Sequence, residues 1–266
     1  APTVDIYVTA PDAALADEQP LVTAEFTDAT DLVQVPAGEY RIRITPAGSM
    51  DVVFDSGTVA LADGADLLVA ATNNTGSGES PVTLLVADGE SAVKLWDVNT
   101  TADIRVVHGI SDAPAVDVIA NNELVLIDAL AFPMATDYLS VLPADYLIDV
   151  VADADNSIVA IDDAAVTLET GMSYTAIANN ELAAPELDLL MDMPRRVATE
   201  AKVRIIHASP AAGSVDIYVT GDGEIADVDP AFAGVDYSTD ALAETGYVSL
   251  AAGEYFVTVT AAGSKE

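Results

Sequence analysis

The two histidines of the sequence are the side chains best suited to acid–base catalysis, and each ends an Arg-x-x-His motif. His108 is followed by Ser111 and Asp112, and His207 is followed by Ser209. A histidine with a nucleophile and an orienting acid nearby can activate that nucleophile. Enzymes seldom build the same site once per module, however, and this motif occurs twice. We therefore expect each histidine to end a strand and to hydrogen-bond the loop that follows it.

An arginine and an aspartate also recur at a constant spacing. Arg105 precedes Asp117 by twelve residues, and Arg204 precedes Asp216 by twelve residues. If the strands that carry them pair as a hairpin, each arginine faces its aspartate across the ladder. The spacing therefore predicts one ion pair within each module, which contributes at most about 1 kcal/mol if exposed. Asp5 stands at the same motif position near the start of the sequence, without an arginine before it.

Clusters of aspartates raise the possibility of calcium, because this hard cation prefers oxygen ligands. The best local candidates are Asp153 and Asp155 in one segment and Asp222, Asp227 and Asp229 in another. Neither segment has the glycine and glutamate positions of the twelve-residue EF-hand loop. Aspartate-rich turns are common in any protein built of hairpins. The sequence favours solvated turns over a specific calcium site and indicates no other cofactor.

No motif of an enzyme class stands out. The sequence has no phosphate-binding loop, no glycine-rich dinucleotide turn and no nucleophile elbow. Clefts that process carbohydrate usually display aromatic rings, whereas this sequence has a single tryptophan, Trp96. Its tyrosines Tyr40, Tyr146 and Tyr255 recur in a repeated block and are predicted to be core residues. We therefore expect a protein without catalytic activity.

The charge of the sequence restricts its partners. There are 44 acidic and nine basic residues, which give a net charge of −35. Such a chain repels nucleic-acid phosphates and anionic membranes, and salt screens its self-repulsion. No run of about 18 apolar residues could span a membrane. Cysteine is absent, which a domain-sized core tolerates in an exported protein. The composition fits a protein that stays soluble in a salty medium, is compatible with export, and favours protein partners or self-association.

Internal repeats organise the whole sequence. Residues 102–118 return as 201–217, and the end of this block opens the sequence as 1–8. Two further blocks recur downstream, one at 35–45, 142–151 and 250–260, and the other at 57–69 and 165–177. The period of about 100 to 112 residues is the size of a domain rather than of a solenoid repeat.

The repeats predict three modules, at 1–100, 101–200 and 201–266. In this division the first module lacks the opening Arg-x-x-His strand, and the third ends about halfway through. A sandwich that lacks a strand exposes an edge that another chain can fill. We therefore expect that the incomplete terminal modules could mediate assembly.

Apolar and polar residues alternate within the repeated blocks. In one strand Tyr40, Ile42 and Ile44 share a face, as a half-buried strand requires. Turn residues separate such strands every 8–12 residues, which predicts an all-β fold of tandem immunoglobulin-like antiparallel β-sandwich modules. Residues 121–140 and 222–245 lack this period and are predicted to form a long loop or one short helical turn.

The motif that opens the second module resembles domain-of-unknown-function family 4397. The resemblance rests on Arg-Val-Val-His-x-x-x-Asp-Ala-Pro-x-Val-Asp-Val, followed by Leu-Pro-Ala-Asp-Tyr. It covers essentially the full sequence and implies tandem β-sandwich modules in an exported bacterial or archaeal protein, but no activity. Our expectation is a non-enzymatic extracellular or cell-surface structural or interaction protein. The alternative is a calcium- or carbohydrate-binding module of a surface protein.

Overall fold

A computed structural model describes residues 2–237 and 243–265 of the chain. The chain divides into two compact units. Unit 1 contains Ala1–Asp103, Ser140–Pro143 and Glu169–Met172, and unit 2 contains Ile104–Leu139, Ala144–Leu168 and Ser173–Glu266. The fold is all-β, with only two one-turn 3-10 helices among the described residues, Leu15–Asp17 and Pro210–Ala212. No helix in this described part is long and apolar enough to cross a membrane.

Unit 1 contains two antiparallel sheets with the strand orders β2-β1-β3-β4 and β5-β6-β7. The strands are β1 (Val4–Thr9), β2 (Val22–Ala24), β3 (Gly38–Pro46), β4 (Phe54–Leu61), β5 (Leu68–Asn73), β6 (Val82–Ala87) and β7 (Ala92–Leu95). The side chains of Ile44, Phe54 and Leu84 are almost fully buried and form one cluster. The core therefore joins the β3–β4 hairpin to β6, the central strand of the second sheet.

Residues 102–192 form two four-stranded sheets, in the orders β11-β8-β14-β15 and β10-β9-β12-β13. The strands are β8 (Ala102–His108), β9 (Val116–Ala120), β10 (Leu124–Leu130), β11 (Leu139–Val141), β12 (Ala144–Ala152), β13 (Asp155–Leu168), β14 (Ser173–Asn179) and β15 (Glu186–Asp192). All seven residues of β14, which lies between β8 and β15, are buried. A two-residue turn at Asp153 and Ala154 joins β12 to β13.

The strands of residues 200–261 form three small sheets, β16-β21, β17-β20 and β19-β18-β22. The strands are β16 (Glu200–Val203), β17 (Ile206–His207), β18 (Val215–Thr220), β19 (Phe232–Val235), β20 (Ala243–Glu244), β21 (Val248–Ala251) and β22 (Phe256–Ala261). β18 repeats the Val-Asp-Ile-Tyr-Val-Thr sequence of β1 and pairs with β22 as β1 pairs with β3. The predicted all-β fold of β-sandwich modules is confirmed.

The prediction of irregular structure at 121–140 and 222–245 is wrong. The first segment contains β10 and the start of β11, and the second contains β19 and β20, while residues 238–242 lie outside the described part. The register of β10 with β9 shifts twice, between Val125 and Ile127 and between Ile127 and Leu130. Because each extra residue moves the following side chains to the other face, a bulged strand loses the period of two.

Candidate functional site

Both histidines hold the loop that follows their strand. The Nε2 atom of His108 lies 2.9 Å from the carbonyl oxygen of Pro114, and its Nδ1 lies 3.3 Å from the N–H of Ile110. The Nε2 atom of His207 lies 2.7 Å from the carbonyl oxygen of Gly213. Each ring is buried, and both of its nitrogens contact backbone groups. The contact expected from the sequence is therefore present in both copies.

The predicted Arg105–Asp117 and Arg204–Asp216 ion pairs do not form. β8 and β9 belong to different sheets, and so do β17 and β18, which means that no hairpin ladder joins each arginine to its aspartate. The aspartates instead accept hydrogen bonds from backbone N–H groups. Asp117 Oδ1 accepts from Ala129 at 2.9 Å. Spacing along the sequence was consistent with a hairpin, but the chain crosses to the opposite sheet.

Asp216 shows what this motif position does in the fold. Its carboxylate accepts from the N–H groups of Gly263 at 2.8 Å and Gly234 at 2.7 Å. These two backbone hydrogen bonds lower the pKa of Asp216. Asp5 accepts from Thr23 Oγ1 at 2.5 Å and from the N–H of Gly48 at 2.8 Å, and these bonds lower its pKa as well. In the first and third copies the repeated aspartate therefore fastens the turn that follows the neighbouring strand of the sheet.

The two repeated arginines meet at one buried carboxylate, Asp192 at the end of β15. Arg204 Nη2 donates to Asp192 Oδ1 in a very short ion pair, and Arg105 Nη2 lies 3.5 Å from Oδ2. The Asp192 side chain is only 1% exposed. Arg204 is also nearly buried, and its Nε lies 3.2 Å from Glu244. Residues from successive copies of the repeat thus share one ionic contact.

Three hydroxyl groups complete the surroundings of Asp192. Tyr138 and Thr175 donate to Oδ2, each at 2.5 Å, and Tyr247 donates to Oδ1 at 3.1 Å. Thr175 also accepts from Arg105 Nε at 2.7 Å. These donors compensate the buried carboxylate for the loss of its hydration, which a buried charge requires in order to remain ionised. We call Asp192 with Arg105, Tyr138, Thr175, Arg204 and Tyr247 the Asp192 network.

The tyrosines of this network titrate at high pH. Burial, followed by the hydrogen bond to the Asp192 carboxylate, raises the pKa of Tyr138 to about 12. Burial also raises the pKa of Tyr247. Their rings lie under the guanidinium groups, with the Arg105 carbon 4.9 Å from the Tyr138 ring and the Arg204 carbon 4.7 Å from the Tyr247 ring. The hydroxyl groups of Tyr138 and Tyr247 therefore keep their protons at neutral pH and remain hydrogen-bond donors to Asp192.

A groove of about 600 Å³ borders the network within unit 2. Arg105, Thr175, Arg204 and Tyr247 line it, together with residues of β8, β14 and β17. A second groove of about 330 Å³ shares Lys202 and Tyr247 with it and is lined by the 193–197 loop. Five of the nine basic residues of the chain line these two grooves: Arg105, Arg195, Arg196, Lys202 and Arg204.

Unit 1 has an ion pair of its own. Arg41 Nε donates to Asp55 at 2.8 and 3.0 Å, and the N–H of Asp55 donates to Asp97 at 2.7 Å. Burial raises the pKa of Asp55, but the hydrogen bonds from Arg41 and Gly57 lower it by more. Arg43 is also buried and donates to Thr9 Oγ1 and to the backbone. Both faces of β3 are therefore covered, not the Ile44 face alone.

The calcium candidates separate into two groups. Asp153 lies in a cluster with Asp117 and Asp128, in which one carboxylate oxygen of each is within 4.8 Å of the others. A second such cluster contains Asp149, Asp162 and Asp163, which the sequence did not single out. The remaining candidates belong to no group of three of this kind within the described residues: Asp155, Asp222, Asp227 and Asp229. Asp155 and Asp222 each accept from an N–H two residues ahead, as in ordinary turns.

The repeated tyrosines are not core residues. Tyr40 and Tyr146 are half-buried, and Tyr255 is 42% exposed. The hydroxyl of Tyr40 donates to the carbonyl of Pro36 at 2.8 Å, and that of Tyr255 donates to the carbonyl of Ala251 at 3.1 Å. Each bond reaches four residues back along the chain, in the manner of the tyrosine corner of immunoglobulin-like sandwiches. These tyrosines fix the turn before their strand.

The fold and these contacts define a protein of tandem β-sandwich modules in which the repeated charged residues fasten loops and successive copies to one another. Residues 1–95 and 102–218 each match the profile of the family described as Domain of unknown function (DUF4397). The chain belongs to this family and contains it in tandem. No curated protein matches the chain significantly.

Proposed function

We propose that the protein is a non-enzymatic structural or interaction protein, located outside the cell or on its surface. The observation that carries the proposal is the Asp192 network, in which Arg105 and Arg204 bind one buried carboxylate. These arginines are the most chemically distinctive residues of the repeat. Because they link successive copies, they serve the cohesion of the chain. His108 and His207 are engaged with backbone groups, which also favours a structural role.

The charge supports the proposed location. A net charge of −35 keeps a protein soluble in a salty medium, where ions screen the repulsion between its acidic groups. The same charge disfavours nucleic acid as a partner. Protein partners, either a second copy of the chain or another protein, agree best with repeated sheets that have exposed edges.

Light scattering and sedimentation velocity on the whole chain test the proposal. The measurements are made at several protein concentrations, each at about 0.1 M and 2 M salt. Comparing the two salt concentrations separates specific association from association that appears only when salt screens the repulsion between acidic chains. We expect oligomers that grow with concentration and persist at the higher salt. A monomer at every concentration and salt would count against assembly. A hydrolase activity lost on substituting His108 and His207 by alanine would refute the non-enzymatic role.

Calcium binding is a second candidate function, favoured by the approach of Asp153 to Asp117 and Asp128. Calorimetric titration with calcium chloride tests it, with Asp153→Asn as the variant and Asp229→Asn as the control. Binding that only Asp153→Asn removes would support a calcium site at this cluster. Heat that is unchanged by both variants would indicate diffuse binding to the acidic surface. Binding of the chain to a panel of glycans tests the carbohydrate alternative, and binding to none of them would count against it.

A further inference from the structure

We propose that Asn99, in the turn between β7 and β8, is the acceptor of an N-linked glycan. The inference rests on the proposed function, because this modification belongs to proteins that leave the cell or stand on its surface. The chain contains two Asn-x-Thr motifs, Asn73-Asn74-Thr75 and Asn99-Thr100-Thr101. Because a motif of three residues is common by chance, the setting of its side chains must support the assignment.

Six of the eight asparagines of the chain have a structural role, and the other two begin the Asn-x-Thr motifs. Asparagine suits turns because it tolerates positive φ and because its amide bonds nearby backbone groups. Asn121, Asn122 and Asn180 adopt positive φ. Three more have hydrogen-bond partners for their side-chain amides: Asn74, Asn156 and Asn179. Within the described residues Asn73 and Asn99 have neither feature. Asn73 ends the strand β5, whereas Asn99 lies in a turn.

The turn that contains Asn99 is held by Asp97 and uses nothing of the asparagine side chain. Asp97 Oδ1 accepts from the N–H of Asn99 at 2.8 Å, and its Oδ2 accepts from the N–H of Asp55 at 2.7 Å. The carbonyl of Asp97 accepts from the N–H of Thr100 at 2.9 Å, which closes the turn. Asn99 therefore presents an exposed side chain on a fixed backbone, as an attached sugar requires.

The exposure of this position is a property of the repeat. Because residues 102–118 align with 201–217, Ala198 stands at the position of Asn99 in the next copy. Asn99 comes before the strands of residues 102–192, and Ala198 comes after them. Both residues are exposed, and so is the whole segment 193–199 around Ala198. The position is thus exposed whether the full set of strands follows it or precedes it, and a glycan at Asn99 has room.

The hydroxyl of Thr101 is a second, independent observation. Its Oγ1 atom is buried and has no hydrogen-bond partner within the described part of the chain. A buried hydroxyl without a partner costs stability, and valine has a similar shape without that cost. The folded chain therefore has no use for this hydroxyl, whereas the Asn-x-Thr motif requires one at this position. Modification of Asn99 accordingly precedes folding, when residues 99–101 are extended and accessible.

The transfer involves no oxidation or reduction. A bond forms between Asn99 Nδ2 and the anomeric carbon of the first sugar, and the bond between that carbon and a phosphate oxygen of the donor breaks. The donor is an oligosaccharide linked to a polyprenol through phosphate or pyrophosphate, and the lipid phosphate or pyrophosphate leaves. The amide nitrogen loses one proton to a base of the transferase. The sugar adds a bulky, hydrated group to the connection between the first two copies of the repeat.

Mass spectrometry of the protein isolated from the cells that produce it tests the site. A glutamate-specific protease releases residues 91–123, because this segment follows Glu90 and has no glutamate before Glu123. The peptide is fragmented by electron transfer, which leaves a glycan attached. We expect the mass of a sugar on Asn99 and none on Asn122, an exposed asparagine of the same peptide that lies outside the motif.

Variants at Thr101 separate the motif from the fold. Thr101→Val removes the unpartnered hydroxyl, so it should abolish the sugar mass without lowering the thermal stability of the chain. Thr101→Ser retains a hydroxyl and should retain the modification. Asn99→Gln should abolish the modification and leave the circular dichroism unchanged, because the Asn99 side chain has no partner among the described residues.

The results distinguish this inference from the proposed function. A chain recovered from the medium or the cell surface with Asn99 unmodified overturns the inference and leaves the proposed location standing. A chain recovered only from inside the cell, with Asn99 unmodified, overturns both. Sugar mass that survives Thr101→Val and Asn99→Gln lies on another residue and also overturns the assignment to Asn99.

Discussion

Replacement of Asp192 by asparagine should destabilise unit 2 more than any other single carboxylate substitution in it. The change keeps the size of the side chain and removes its charge. Within the described part of the chain, Arg204, whose side chain is 6% exposed, would then keep an ion pair with Glu244 alone. Removing one partner of a buried ion pair costs about 3–5 kcal/mol, because the other charge stays buried. We expect about 3 kcal/mol, the lower end, since Glu244 remains and the amide oxygen still accepts.

Urea unfolding followed by far-ultraviolet circular dichroism measures this loss, and hydrogen exchange locates it. Exchange should accelerate in β14, β15 and residues 200–208. Asp188→Asn is the control, because Asp188 lies four residues earlier on the same strand and accepts one hydrogen bond, from Asn179 at 2.7 Å. We expect the control to lose no more than about 1 kcal/mol, the net value of a typical hydrogen bond.

A double-mutant cycle decides whether the loss belongs to the ion pair. Arg204→Met removes the cation and keeps an apolar side chain of similar length. If the two residues act together, the double variant should lose less than the sum of the single losses, by about 1–3 kcal/mol. Additive losses, or a loss below about 1 kcal/mol for Asp192→Asn, would refute the assignment of Asp192 as the buried centre of the network.

Three further predictions follow from single contacts. Tyr138 has a folded-state pKa of about 12, whereas an ordinary tyrosine has a pKa of about 10. The contribution of Tyr138 to the unfolding free energy should therefore be present below pH 10 and be lost as the pH rises towards 12. Tyrosinate absorbance measures this titration, and Tyr138→Phe should remove this pH dependence. The lowered pKa of Asp216 predicts the opposite sign: its stabilisation should be present above about pH 4 and lost as pH falls, and Asp216→Asn should flatten acid unfolding in that window. Gly171→Ala should shift the fluorescence of Trp96, because an added Cβ would lie 2.5 Å from the indole, whereas Gly64→Ala, with similar φ and no atom within 4 Å, should not.

The strands of the repeated blocks and the turns before them were predictable because local rules determine them. The Val-Asp-Ile-Tyr-Val-Thr strand and the Tyr block after Pro-Ala-Gly-Glu both form strands at the expected places. The partner of Arg105 was not predictable in the same way, because the structure pairs it with Asp192 and not with Asp117. A spacing of twelve residues fits a hairpin, and it equally fits a chain that leaves one sheet for the other. Only the packing of two sheets distinguishes these cases, and that information is spread over the whole module.

The centre of the site gave no local signal. Asp192 follows Leu190 and Met191 in a strand, and no repeated block contains it. Its role depends on Tyr138, 54 residues before it, and Tyr247, 55 residues after it. Such long-range contacts leave no pattern in a single sequence. The repetition of Arg105 and Arg204 was visible in the sequence, however. It indicated two residues of the site, although the partner predicted for each, the aspartate twelve residues later, was wrong.

The distribution of the cations connects the network with the acidic surface. Nine basic residues can neutralise only a small part of the charge of 44 acidic ones. Two of the nine, Arg105 and Arg204, contact one buried carboxylate, that of Asp192. Salt screens exposed charges over about 10 Å at 0.1 M and over about 3 Å at 1 M, but it screens a buried pair much less. Rising salt should therefore relieve surface repulsion and leave the Asp192 network intact. If unfolding free energy instead falls between about 0.1 M and 2 M sodium chloride, the cohesion of unit 2 depends on exposed pairs rather than on this network.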